Sequence, residues 1–287
     1  MWPLSEPERP ALKELAEAAA ATLAGVDKRK RRKYDQLERD GLLPRMRQIL
    51  LRFSVPLWWE INGRQALRNG SMIVVKTREA LFGVTCRHVL NAYEYDKHTL
   101  PDLFCQLGSA PFDPSANVIS LSKAWDLVTF RIPAETLTHI GAHRVLPVAE
   151  WPPAPLENGD RIMVGGYPEN KRSQSPGSRP ELLNIDLVTF ISWASNASEH
   201  SVSFSLDSST WYWPQGNSLE PQPKLSGASG GPCFRLMDKE PYFELAGFIY
   251  EGHIPYELVL IRQASLIAAD GTIAAGPVVE SLRSRQG

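Results

Sequence analysis

The sequence predicts an all-β body behind a helical, basic N-terminal extension, and three observations carry that expectation. From residue 11 to about 52 the chain is rich in Ala, Glu, Lys and Arg, and Leu12, Leu15, Ala19 and Leu23 fall on one helical face. After Pro56 the pattern changes to short alternating or apolar runs separated by Gly, Pro, Asn and Asp, the punctuation of strands and turns. A chain of 287 residues, 43% hydrophobic and 22% charged, is long enough for two small domains plus an extension. Strands are expected at 71–76, 80–86, 126–132, 160–165, 186–193, 201–206, 231–235, 243–250 and 257–263.

In chain order, the extension comes first. Gly25 is expected to break it into separate helices. Lys28-Arg29-Lys30-Arg31-Arg32-Lys33 places six basic residues in a row, and residues 28–52 hold ten Lys or Arg against Asp35, Glu38 and Asp40. The whole chain carries a net charge of −1, so the remainder is acidic. The plain reading of the run is a solvated helix face or a segment lying on the acidic body. Binding of phosphate or an anionic membrane is a second reading. A third is a cleavable linker whose cutting repositions the helices, with a regulatory partner acting through them. The near-neutral total gives no reason to expect nucleic acid.

The strand region then supplies candidates for chemistry. The expected strand at 80–86 runs into Cys86-Arg87-His88, which puts His88 at the end of an apolar run, whereas His98, His139, His143, His200 and His253 lie in polar or loop-like stretches. Asp126 opens the alternating run Asp126-Leu127-Val128-Thr129-Phe130-Arg131-Ile132. Aspartate is depleted from strands unless its oxygens have hydrogen-bonding work, and holding an imidazole N–H is such work. Further on, Gly227-Ala228-Ser229-Gly230-Gly231-Pro232 sets a serine among glycines. Glycine permits φ > 0, so a tight turn here can aim the Ser229 hydroxyl outward while backbone N–H groups converge beside it. A serine hydroxyl is a poor nucleophile unless a histidine base and an orienting carboxylate lie elsewhere.

Val84-Thr85-Cys86-Arg87-His88-Val89, Asp126-Leu127-Val128-Thr129-Phe130 and the serine hexapeptide together resemble the trypsin-like (chymotrypsin-fold) serine peptidases of the bacterial intracellular type, in residue types and in the order His, Asp, Ser. Asn69-Gly70-Ser71-Met72-Ile73-Val74-Val75 is similar to the family's strand before the histidine strand. Gly159-Asp160-Arg161-Ile162-Met163-Val164-Gly165-Gly166-Tyr167-Pro168 is similar to the strand opening its second barrel. Leu245-Ala246-Gly247-Phe248-Ile249-Tyr250 resembles the strand lining its substrate cleft. The likeness covers roughly residues 64–270.

The resemblance implies two Greek-key β-barrels of the chymotrypsin fold. The first, at 61–150, would carry His88 and Asp126, the second, at 151–287, would carry Ser229, and both would follow the extension at 1–60. It implies Ser229 as nucleophile, His88 as base, Asp126 as the carboxylate that orients it, and the N–H groups of Gly227 and Ser229 as the oxyanion hole. Pro223 falls at the floor of the primary specificity pocket, with Ser226, Gly247 and Tyr250 also at the substrate. Pro223 offers no acidic floor, so a strict Lys/Arg preference is not expected; Glu251 supplies a negative charge there or is a solvated loop residue. Ala228 stands where secreted digestive members place an aspartate that pairs with a freed N-terminus, so that activation switch is not expected. Arg87, where the family commonly has alanine, is read as facing solvent. The expected partner is a protein or peptide substrate; no cofactor or metal is expected.

Other readings stay open at this level. The Gly227-Ala228-Ser229-Gly230-Gly231 turn also fits the nucleophile elbow of an α/β-hydrolase esterase, which needs an Asp and then a His after the serine, where the chain supplies His253. A trypsin-like domain without activity, used as a protein-binding module, is the stronger rival. Cys86, two residues before His88, is a conceivable thiol nucleophile. The three cysteines, Cys86, Cys105 and Cys233, form no CxxC pair and suggest neither a disulfide framework nor a zinc site. No apolar run is long enough to span a bilayer, and the first residues do not read as a signal peptide, so a cytoplasmic location is expected.

Overall fold

The computed structural model describes residues 42–61, 66–169, 172–174, 183–185, 187–205, 211–212, 225–237, 243–253 and 258–276. The basic run at 28–33, the break at Gly25 and Pro223 lie outside these residues. The first described element is helix α1 (Leu42–Phe53), with Pro44 in its first turn, where a missing N–H costs nothing. The body that follows is mostly β.

Among the described residues, the first sheet takes β1 (Ser54–Ile61), β2 (Ala66–Lys76), β3 (Leu81–Cys86), β4 (Cys105–Leu107), β5 (Ala110–Pro111), β6 (Val118–Ser122) and β7 (Leu127–Arg131) in the order β5-β4-β1-β2-β3-β7-β6. Those pairs are antiparallel; β8 (Val145–Pro147) adds to β2 in parallel. Two helices interrupt the strands, α2 (Arg87–Thr99) directly after β3 and α3 (Ala134–Ile140) after β7.

The second sheet is antiparallel and runs β13-β17-β16-β15-β9-β12-β14. It is built from β9 (Arg161–Gly166), β12 (Val188–Trp193), β13 (Ser201–Ser205), β14 (Trp211–Tyr212), β15 (Pro232–Leu236), β16 (Phe243–His253) and β17 (Leu258–Gln263). A separate pair joins β10 (Arg172–Gln174) to β11 (Leu183–Ile185). Strand β1 belongs to the first sheet, although composition groups its residues with the extension.

The strands read as nearly continuous apolar runs because successive side chains point to opposite faces and both faces are buried. In β2, Met72 and Val74 join a cluster enclosed by the first sheet with Cys86, Val128 and Phe130, whereas Ile73 and Val75 face the other way. In β9, Ile162 and Val164 join a cluster in the second sheet with Phe190, Phe204 and Cys233, whereas Met163 faces out of it. Ile73, Val75 and Met163 meet in a third cluster, with Phe82, Val84, Leu127, Ile191, Phe234 and Phe248. Met46, Leu50 and Phe53 of α1 enter the same cluster, so this helix packs where the two sheets meet.

The segment after β17 returns to the first sheet. Thr129 Oγ1 donates to Gly271 O (2.6 Å), Thr77 Oγ1 to Ala269 O (2.6 Å) and Trp125 Nε1 to Ala274 O (3.1 Å). Among the described residues no helix is long and apolar enough to cross a membrane.

Candidate active site

Strand β3 ends at Cys86 and the chain turns at once into α2, so His88 sits in the first turn of a helix. The sequence alone placed it at the end of a strand. Val89, Leu90 and Tyr93 of α2 are buried at helical spacing and hold that helix on the first sheet. Cys86 offers the helix no side-chain cap. The cap comes from Asp126, in the loop Lys123-Ala124-Trp125-Asp126 that joins β6 to β7. Its carbonyl accepts the Arg87 N–H (3.0 Å) and its Oδ1 accepts the His88 N–H (2.9 Å), which satisfies two of the helix's free amides. Its other oxygen, Oδ2, lies 2.5 Å from His88 Nδ1. Asp126 has φ 53°, a left-handed conformation that suits a hairpin loop about to re-enter a strand and that aspartate tolerates better than most side chains. Asp126 thus precedes β7 rather than opening it.

Ser229 lies in the double turn between Leu225 and Gly231, where Ala228 N donates to Leu225 O and Gly231 N to Ala228 O, each at 2.9 Å. Gly227 and Gly230 have φ of 93° and 85°, conformations that L side chains rarely adopt. Both are also tightly packed. A Cβ on Gly227 would stand 2.7 Å from Tyr167 O, and one on Gly230 would overlap Ser71 O and Thr85 Oγ1. Ala228 is fully buried against Gly166, where an added Cβ would stand 2.8 Å from Ala228 Cα.

This turn meets the strand leading to His88 at one backbone carbonyl. Ile249 O accepts the Gly230 N–H (2.7 Å) and the Cys86 thiol (3.1 Å). Ser71, fully buried in β2, grips the turn from the other side. Its N–H donates to Ser229 O (2.8 Å) and its hydroxyl to Gly227 O (3.0 Å), while that hydroxyl accepts from Tyr167 N (2.9 Å). Thr85 Oγ1 in turn donates to Ser71 O (2.6 Å). With Gly227, Ala228 and Ser229 carbonyls all held, the peptide planes of the turn are fixed. Among the described residues no acceptor takes the N–H of Gly227 or of Ser229.

The expected substrate-binding residues separate. Ser226 is exposed and its hydroxyl donates to Glu169 Oε2 (2.7 Å), while the Glu169 N–H donates to Ser226 O (2.5 Å). Tyr250 is partly exposed beyond the end of the β15–β16 pairing, which stops at Pro232 opposite Phe248. Burial is the main reason its phenol is pushed up to about 12, with the nearby Arg262 cation working against that rise. Gly247 is not brought to the surface: it is buried and paired with Cys233 on one side and Gln263 on the other.

Sequence reading missed two residues here. Ser71 was seen only as part of a strand. Arg262, a lone cation in the apolar strand Leu258-Val259-Leu260-Ile261-Arg262, donates from Nε to Trp125 O (2.9 Å), next to Asp126.

Cys86 does not supply a nucleophile. It is fully buried and burial, reinforced by the Asp126 charge, pushes its thiol well up, so it stays protonated. Ligand atoms of Cys86, His88 and Asp126 lie within 4.8 Å of one another, but a metal needs the thiolate that this setting disfavours. An esterase elbow is also excluded, because a strand, β15, follows the serine turn where that motif needs a helix.

No family model and no curated protein matches the chain. Among solved structures it is similar to the Rv3671c protease from M. tuberculosis in its active form, at 15% identity over 80% of this chain and 86% of that one, with a TM-score of 0.43. It is also similar to AL20, a thermostable serine protease from an extremophilic microorganism, at 11% identity over 74% of this chain and 90% of that one, with a TM-score of 0.40. A third is the catalytically active tobacco etch virus protease complexed with product, at 11% identity over 74% and 72%, with a TM-score of 0.39. All three are described as proteases.

Proposed function

We propose that this chain is a trypsin-like serine endopeptidase that cleaves protein substrates through an acyl-enzyme. One observation carries the reading: Ile249 O joins the Ser229 turn, through the Gly230 N–H, to Cys86, two residues before the His88 that Asp126 holds, and among the described residues no acceptor takes the N–H of Gly227 or of Ser229. In the proposed mechanism Ser229 Oγ attacks the substrate carbonyl and His88 Nε2 takes its proton. Asp126 holds Nδ1–H and stabilises the imidazolium, and the two N–H groups bind the oxyanion as it forms. His88 then gives the proton to the leaving amine. Water, deprotonated by His88, attacks the ester and frees Ser229.

The two sheets correspond in this proposal to two Greek-key barrels, with His88 and Asp126 in the first (61–150, extended back to include β1) and Ser229 in the second (151–287). The extension, cut back by β1 from 1–60 to 1–53, is assigned a regulatory role through its basic run.

The test is N-terminal sequencing of fragments from a proteome digest made with the full chain and with Ser229→Ala. New N-termini that depend on Ser229 support the reading and report the cleavage preference. A folded wild-type chain that generates none, with residues 1–41 removed as well as present, favours the protein-binding module.

A further inference from the structure

We propose that Arg262 is a positioning residue for Asp126, acting through the Trp125 carbonyl and tying the orienting carboxylate to the sheet that carries Ser229. The inference rests on the peptidase reading only for its kinetic arm.

The geometry begins with the loop. Asp126 is held at φ 53°, a left-handed conformation that aspartate tolerates but that still disfavours any side chain, so contacts on either side of the loop matter in keeping it there. Downstream, β7 fixes the chain from Leu127 onward. Upstream, the peptide leading into Asp126 has its carbonyl at Trp125, and the Arg262 Nε–H donates to that oxygen at 2.9 Å. Rotation of this peptide would swing the carboxylate off both the N–H and the ring of His88.

Arg262 is itself clamped. Its guanidinium carbon lies 3.9 Å from the centre of the Tyr250 ring and 5.8 Å from that of Trp125. Two aromatic faces and one directed N–H fix a planar fork in a way that an ammonium group cannot reproduce. The Trp125 indole is anchored in turn on Ala274 O (3.1 Å). Among the described residues Arg262 forms no ion pair with Asp126, so both carboxylate oxygens remain with His88.

The connection also sets a distance across the molecule. Arg262 pairs with Phe248 in β16, and Phe248 pairs with Pro232 in β15, three residues after Ser229. A run of two strand pairings therefore links the loop bearing Asp126 to the nucleophile's turn. Arg262 lies in the second sheet and Asp126 in the β6–β7 loop of the first, so this hydrogen bond holds the two parts of the site in register.

The experiment compares the full chain with Arg262→Gln and Arg262→Lys, reading kcat and KM on a peptide that the wild type cleaves, thermal stability, and the low-field proton resonance of His88 Nδ1–H. Misplacement of a catalytic group by about an ångström costs about 10²-fold, so kcat is expected to fall by about that factor in both variants with KM within about threefold. The low-field resonance is expected to broaden or vanish, because its proton exchanges once the carboxylate is loose. If Arg262→Gln does not fold, Arg262→Lys carries the test, and Arg262→Gly with added guanidinium ion is expected to recover part of the lost rate. Wild-type kcat with an intact resonance in the folded variants overturns the proposal. A wild type that cleaves nothing, yet shows the resonance and loses it in Arg262→Gln, removes the peptidase reading and leaves the positioning role standing.

Discussion

Asp126 is bonded twice to His88, with Oδ1 on the backbone N–H at 2.9 Å and Oδ2 at 2.5 Å from ring Nδ1. One carboxylate therefore caps helix α2 and orients the imidazole that the helix carries. The two functions separate by substitution, because the cap needs one oxygen on the His88 N–H and orientation needs a second acceptor on ring Nδ1–H.

Asp126→Asn keeps an oxygen for the cap and sets an amide N–H donor where ring Nδ1–H needs an acceptor. We expect a drop in kcat of about 10⁴-fold with little change in melting temperature. Asp126→Ala is expected to be as slow and also less stable, by the ~0.5–2 kcal/mol that a lost helix cap costs. Equal melting temperatures for the two variants would contradict the capping role; steady-state rates and thermal melts supply both readouts.

Ser71→Ala removes a hydroxyl that bridges Tyr167 N–H and Gly227 O in a buried site. Leaving buried groups unpaired costs about 1–3 kcal/mol, and the Gly227 peptide loses its tether. The expected kinetic signature is a fall in kcat with KM nearly unchanged, together with weakened binding of a peptide boronate that mimics the tetrahedral intermediate. Boronate affinity equal to wild type would show that Ser71 supports folding alone.

Gly230→Ala places a methyl into Ser71 O and Thr85 Oγ1 at a φ of 85°. Neither neighbour is the loose end of a long side chain, so the turn must move. The variant is expected to be insoluble, or folded without activity, and circular dichroism beside an activity assay distinguishes it from a tolerated change.

The thiols give a negative test of the cysteine alternative. Burial pushes Cys86, Cys105 and Cys233 all upward, so each stays protonated at neutral and mildly alkaline pH. Iodoacetamide at pH 8 is expected to leave the folded chain unmodified and fully active, and to alkylate three cysteines only after denaturation. Inactivation by alkylation at Cys86 would move the nucleophile from serine to sulfur.

Much of this was legible in the residues. Each of the nine expected strands overlaps a described one, because apolar runs bounded by Gly, Pro and Asn survive as strands wherever both faces are buried. Helix α2 was hidden although Val89, Leu90 and Tyr93 have helical spacing, since its cap is Asp126, far along the chain, and no local residue announces the start. Strand β1 was hidden by Pro56, read as a boundary, which in the sheet lies opposite Ser71. His88, Asp126 and Ser229 were visible as residue types in telling surroundings. Ser71 was not, because its work consists of bonds to Gly227 and Tyr167, which only the fold brings near. Arg262 left a readable trace, a cation at the end of an apolar strand, but its target is a carbonyl and no side-chain pattern marks it.

In the proposed mechanism Ser229 is a nucleophile activated by His88. The most direct test is labelling of the full chain with a fluorophosphonate, located by peptide mass spectrometry, in wild type, Ser229→Ala and His88→Ala. A single adduct is expected on the peptide containing Ser229 in the wild type, and none in either variant while both remain folded. An adduct that persists in Ser229→Ala, or a folded wild type that takes no label, would contradict that mechanism.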